Sequence, residues 1–136
     1  MLNNDLEERL LDFAARVGRV VDALPESRMG RHVADQLIRS GTSPAPNYAE
    51  AQAGESRRDF THKLNIVLKE MHESRVWLRL IVKSDLLPQG LVTNLLDECE
   101  QLCRILGKSI VSAKKNRSQV KSPIEERSPK PEPRPD

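Results

Sequence analysis

Leu6-Glu-Glu-Arg-Leu10-Leu-Asp-Phe13-Ala-Ala-Arg-Val17-Gly-Arg-Val20-Val-Asp-Ala-Leu24-Pro25 decides the fold class of this chain. Its apolar residues recur at steps of four and three, which places Leu6, Leu10, Phe13, Val17, Val20 and Leu24 on one stripe of an α-helix. Pro25 ends that helix, because the residue before a proline is pushed out of the helical region. A stripe of this width serves a bundle, and the rest of the chain supplies three partners for it.

Ser27 is placed to cap a second helix whose buried side runs Met29, Val33, Leu37 and Ser40, with Gly41 as its terminator. Ser43-Pro44-Ala45-Pro46-Asn47 follows. With Ser43 as N-cap, both prolines fall in the first turn, where amide hydrogens have no intrahelical partner to lose. The helix restarts there, turns Tyr48 and Ala51 inward and stops at Gly54, so the second helix is one element bent or broken at 41–43.

A third helix begins near Ser56, with Asp59 three residues on in a weak form of the capping box. Phe60, Leu64, Val67, Met71, Ser74, Leu78 and Ile81 form its seam over about six turns. A second row, Ile66, Glu70, Glu73, Trp77 and Leu80, has the same spacing and sets two carboxylates in an apolar strip. Buried carboxylates need partners. Arg39, Ser40, Ser43 and Asn47 at the break are the candidates, and a solvated face is the alternative. Leu87-Pro88-Gln89-Gly90 makes a turn, and a fourth helix carries Leu91, Leu95, Cys99, Leu102, Leu106 and Ile110 inward.

After Ala113 the apolar pattern stops, and 114–136 is Lys, Ser, Glu and Pro, a composition unable to offset its own ordering entropy. The expected organisation is therefore a bundle over 1–113 and a disordered tail over 114–136. The fold class is all-α: an up-down antiparallel four-helix bundle with a bent or broken second helix.

Charge divides along the same line. The tail has seven bases against four acids, and the rest has 15 against 16, so the net +2 resides in the tail. A near-neutral body exerts no global pull on nucleic acid, and such binding must come from local patches. Three small basic clusters are available: Arg16 with Arg19, Arg28 with Arg31, and Arg57 with Arg58 and Lys63. Asp12, Asp35 and Asp59 sit among them, so intrahelical ion pairs compete with phosphate contacts.

The polar start, Met1 to Arg9, is unlike a secretory signal, and the most apolar run, Val76 to Val82, is interrupted by Arg79. A cytoplasmic protein with no membrane segment is expected. Cys99 and Cys103, four apart on one helix, suit a reducing compartment and a core position. His32, His62 and His72 do not complete the Glu-x-x-His pattern of a di-iron bundle, since the residue three before His72 is Lys69. Neither a nucleophile elbow nor a phosphate-binding glycine loop is present. The sequence therefore points to a non-enzymatic binding module with no metal and no cofactor.

Gln36-Leu-Ile-Arg39-Ser40-Gly-Thr-Ser43-Pro-Ala-Pro-Asn47-Tyr-Ala-Glu50-Ala, followed by Arg57-Arg-Asp-Phe60, Lys63-Leu-Asn-Ile-Val-Leu-Lys-Glu70 and Glu73-Ser-Arg-Val-Trp77-Leu, resembles the ribosomal-RNA intervening-sequence proteins. The resemblance covers about Leu6 to Ala113. It rests on the Arg39-Ser40 pair, Ser43 four before Asn47, Asn47-x-Ala-Glu50, then Phe60 and a glutamate on the third helix. It implies a four-helix bundle that assembles into homo-oligomeric rings, commonly pentamers, without known catalytic activity. It also implies kinship with the accessory variability determinant of diversity-generating retroelements, whose basic ring surface binds nucleic acid and a reverse transcriptase. The expected function is a homo-oligomeric scaffold with RNA or an RNA-handling protein as partner. The alternative is a protein–protein adaptor without nucleic-acid binding. Ile66, Trp77 and Leu80 are the expected oligomer contacts, because one bundle helix needs one apolar row and the third has two.

Overall fold

Five α-helices and one short 3-10 turn make up a computed structural model that describes residues 2–54 and 56–127, with side chains described for 5–54 and 56–116. The helices are α1 (Leu2–Ala23), α2 (Arg28–Thr42), α3 (Pro44–Gln52), α4 (Arg57–Lys83) and α5 (Thr93–Arg127), with the turn at Gln89–Leu91. No strand occurs among the described residues. Because α2 and α3 together form one column, the architecture is a four-helix bundle: α1 lies beside α2, α3 and α5, and α4 beside α2, α3 and α5.

The seam of α1 is buried throughout, with Leu10, Phe13 and Val17 fully enclosed. Val33 and Leu37 meet it from α2, Leu64, Val67, Met71, Leu78 and Ile81 from α4, and Cys99, Leu102 and Leu106 from α5. Burial of this kind is the main stabilising contribution, on the order of 2–5 kcal/mol for each Leu or Met truncated to Ala. Ion pairs and polar bonds then fix the helices against one another. Arg9 donates to both carboxylate oxygens of Glu98 at 3.0 and 2.7 Å, joining α1 to α5. The Cys99 thiol donates to the Met71 carbonyl at 3.3 Å, joining α5 to α4.

The caps at Ser27 and Ser56 form as the sequence suggests: each hydroxyl accepts an amide hydrogen three residues on, from Gly30 at 3.0 Å and from Asp59 at 3.1 Å. Helix α4 closes in a Schellman motif without glycine. Leu86 N–H reaches the Ile81 carbonyl at 3.1 Å and Asp85 N–H the Val82 carbonyl at 3.2 Å. Asp85 takes the left-handed conformation, φ 54°, that this closure requires.

Four expectations are corrected. Met29 is exposed and Gly30 is buried in its place, because Gly30 lies against the Pro25 carbonyl, where a Cβ would collide with the oxygen. Gly41 does not terminate α2 but lies buried within it, so close to α1 that an added Cβ would stand 2.8 Å from both methyl carbons of Val17. Leu91 is exposed and Val92 fully buried, since the 3-10 turn shifts the entry to α5 by one position. Finally, α5 does not end at Ala113, where its apolar pattern stops, but runs to Arg127. Ala113 is nevertheless the last buried residue described, with Lys114, Lys115 and Asn116 all exposed. Propagating an existing helix through Lys, Arg, Gln and Glu needs propensity and no core, although Pro123 has no amide to add to the ladder. The expectation of disorder over 128–136 falls outside the described residues.

Candidate functional site

The break between α2 and α3 is built by two missing amide hydrogens. Pro44 and Pro46 cannot donate back into α2, yet the Ser43 amide still reaches the Arg39 carbonyl at 3.2 Å and the Asn47 amide reaches the Ser43 carbonyl at 3.1 Å. The chain therefore bends without unwinding, and Ser43 keeps helical dihedrals, φ −71° and ψ −32°. Its hydroxyl makes no N-cap bond and instead donates to the Arg39 carbonyl at 2.7 Å.

The bend turns Asn47 towards α4, where its amide nitrogen donates to the Glu70 carboxylate at 3.2 and 3.3 Å. The hydroxyls of Ser40 and Ser74, both buried, share a hydrogen bond of 2.9 Å one turn away, and Ser74 also bonds the Glu70 carbonyl at 3.0 Å. Burial pushes the Glu70 carboxyl above its ordinary value, opposed by the Asn47 bond and reinforced by the charge of Glu73. Glu73 accepts from the indole N–H of Trp77, one turn along its own helix, at 3.0 Å. Lys63 pairs with Glu50 at 2.8 Å on the exposed side. Arg39 is exposed and donates to Gln36, so it meets neither glutamate. The junction thus brings together Ser40, Asn47, Glu70 and Ser74, with Glu73 and Trp77 beside them, while Arg39 and Ser43 serve the end of α2.

Ile66, Trp77 and Leu80 are half-buried, as the second row of α4. Trp77 and Leu80 rest on the core with one side only. His32 of α2 meets the Trp77 ring edge-on, with centroids 5.7 Å apart and planes at 80°. Two further apolar side chains of these helices are exposed, Met29 one turn before His32 on α2 and Val76 on α4. An apolar strip on the outside of α2 and α4 is therefore open to solvent in the single chain.

Among the described residues, Lys63 is the one member of the expected basic clusters with a carboxylate within ion-pair distance. Arg31 spends its guanidinium on the Glu26 carbonyl. Arg16, Arg19, Arg28 and Arg58 still have acids interleaved on their own helices or caps. The purest basic surface lies elsewhere, on α5. Between Glu100 and Glu125 the sequence holds Arg104, Lys108, Lys114, Lys115, Arg117 and Lys121 and no acid. Three shallow open grooves meet along this helix, and Lys108 lines all three. Arg104 lines two, and Arg57 with Phe60 of α4 walls the third. Sequence reasoning misses Arg104 and Lys108 because dividing the chain at Ala113 cuts this acid-free run in two.

No group of three or more potential metal ligands occurs among the described residues. Cys99 and Cys103 are free, buried thiols. Hydrogen bonding to Cys103, followed by burial, pushes the Cys99 thiol strongly upward and keeps it protonated, as a donor to Met71 requires. No helix is long and apolar enough to cross a membrane among the residues described.

Comparison with solved structures finds a protein of unknown function from the S23 ribosomal protein family of Bacteroides thetaiotaomicron. It is 30% identical, with a TM-score of 0.70, over 77% of this chain and 97% of that one. A search of the curated proteins found no match. Residues 3–108 match the family model described as 23S rRNA-intervening sequence protein, the span that holds the whole buried seam of α1 and the polar junction. The chain belongs to the 23S rRNA-intervening sequence protein family.

Proposed function

We propose that this protein is a non-enzymatic, cytoplasmic scaffold that assembles into a homo-oligomer and holds RNA or an RNA-handling protein. The observation that carries the assembly is the second apolar row of α4. Trp77 has its indole N–H satisfied by Glu73 within its own chain, while its ring, with Ile66, Leu80 and the neighbouring Met29 and Val76, remains partly open. A tryptophan whose polar atom is already bonded offers a partner pure apolar area, and such residues concentrate at interface centres. A ring of five copies is the arrangement that kinship within the family favours. The family's name and that of its ribosomal relative support RNA as the cargo, and the acid-free face of α5 gives that cargo a surface. Free core thiols fit a reducing compartment.

Sedimentation velocity tests the reading. The wild-type chain should sediment as one assembled species at micromolar concentration, and Trp77→Ala should shift it toward the single chain while keeping its helical signal. An assembly wholly unchanged by Trp77→Ala contradicts this interface. The second reading, a protein–protein adaptor that binds no nucleic acid, is favoured by Val111, 65% exposed on the same face of α5. Absence of RNA binding in an intact assembly would support it.

A further inference from the structure

We infer that the groove between the start of α4 and the second half of α5 is an RNA-binding site that takes the sugar–phosphate backbone of an unpaired stretch, with Phe60 as a stacking surface for a base. This rests on the scaffold reading only for the class of partner. The site itself follows from which residues the bundle brings together.

The antiparallel packing of α4 against α5 sets Arg57 and Phe60 opposite Ile105, Lys108, Ser112 and Asn116. Arg104 and Lys108 are one turn apart, about 6 Å along the helix. Both point to solvent, and Lys114 and Lys115 continue the exposed cations. None of Arg57, Arg104 or Lys108 has an ion-pair partner among the described residues, whereas Arg9, Lys63 and Arg75 are each held by a glutamate. Unpaired cations attract a polyanion and release its counterions on contact, and Glu100, one turn before Arg104, is already held by Arg75 at 3.4 Å. On α1 and α2 acids alternate with the basic pairs, Asp12 and Asp22 about Arg16 and Arg19, and Glu26 and Asp35 about Arg28 and Arg31, whereas α5 has no acid from 101 to 124.

Two further features select RNA among polyanions. Neutral donors and acceptors, Ser109, Ser112 and Asn116, line the same groove as Arg57 and Lys108 and supply hydrogen bonds of the kind that read a 2′-hydroxyl. Phe60 is half-buried, its inner side on the core and its outer side in the groove, so a base can stack on it without displacing packing. Stacking needs an unpaired base, which places the target in loops and single-stranded segments.

Fluorescence anisotropy with a labelled RNA hairpin carrying an unpaired loop tests the site, using the full chain over a range of salt concentrations. Blunt RNA duplex and a DNA hairpin of the same sequence serve as the comparison arms. The wild type should bind the RNA hairpin more tightly than either. Arg104→Gln with Lys108→Gln should weaken it roughly ten-fold and reduce the salt slope by roughly two, the loss of two phosphate contacts. Phe60→Leu, which keeps the apolar packing, should erase the preference for the hairpin over the duplex. Arg16→Gln with Arg19→Gln should stay within about two-fold of wild type. No hairpin binding at low salt overturns the inference, as does equal loss from both arginine-containing pairs or equal binding of the DNA hairpin. Mass is measured in parallel. An intact assembly that binds no RNA overturns this site and leaves the scaffold standing, and a groove variant that loses mass together with affinity overturns direct contact.

Discussion

Gly41 shows how one residue can be read correctly as unusual and wrongly as to why. A glycine near the end of a helical stripe suggests a stop, but in this bundle the missing side chain admits Val17 of α1, and both methyl carbons would lie 2.8 Å from a Cβ. Gly41→Ala should therefore destabilise by up to about 2 kcal/mol, the overpacking penalty of about 1–3 kcal/mol less the roughly 1 kcal/mol of helix propensity Ala brings. Adding Val17→Ala should recover part of that loss in a double-mutant cycle, and urea midpoints read both. A more stable Gly41→Ala protein contradicts the close approach.

Glu70 carries the residue-scale pH dependence. Its folded-state carboxyl titrates above the ordinary 4.5, with burial as the largest cause, so the native state favours the protonated form. Its contribution to stability is full below the ordinary value and is lost as pH rises through the folded one. Glu70→Gln keeps an acceptor for Asn47 and removes the titration. The variant's advantage in melting temperature over wild type should be present at pH 7 and vanish toward pH 4, and a gap that does not change between those values contradicts the burial argument.

At the scale of elements, legibility followed the strength of periodicity. The α1 seam and the α4 seam were readable because each apolar residue repeats over many turns, and so were the caps at Ser27 and Ser56, whose chemistry is local. The first positions of short or reset elements were not: Met29 and Leu91 satisfy the spacing, but a glycine against a carbonyl and a 3-10 turn decide the phase there. Ser43 was legible as the site of the break but not as to its bond, because whether a hydroxyl reaches forward to an amide or back to Arg39 depends on dihedrals that sequence does not specify. The extension of α5 was hidden because past Ala113 the sequence carries no sustained apolar stripe. Truncation after Ala113 should accordingly leave the melting midpoint within about two degrees of the full chain, since Lys114, Lys115 and Asn116 are exposed and Ala113 is the last core residue described. A fall of several degrees would show that the extension supports the bundle.

For the whole molecule, the junction and the apolar strip are two sides of one device. Asn47 reaches Glu70 of α4 just past the bend, and His32 of α2 meets Trp77 on the outer row of α4 before it. The pairing of Asn47 with Glu70 was within reach of the sequence, since a carboxylate in an apolar row of α4 needs a partner and Asn47 lies among the polar residues at the break. The basic face of α5 was not, because it comes from a helix that crosses the boundary drawn by hydrophobicity. In the proposed assembly a second copy covers the apolar strip and leaves α5 for cargo. Multi-angle light scattering of the wild-type protein tests this most directly. A mass several times the 15.4 kDa of one chain, five times for the favoured ring, is the predicted result, and a single species at 15.4 kDa at micromolar concentration contradicts it.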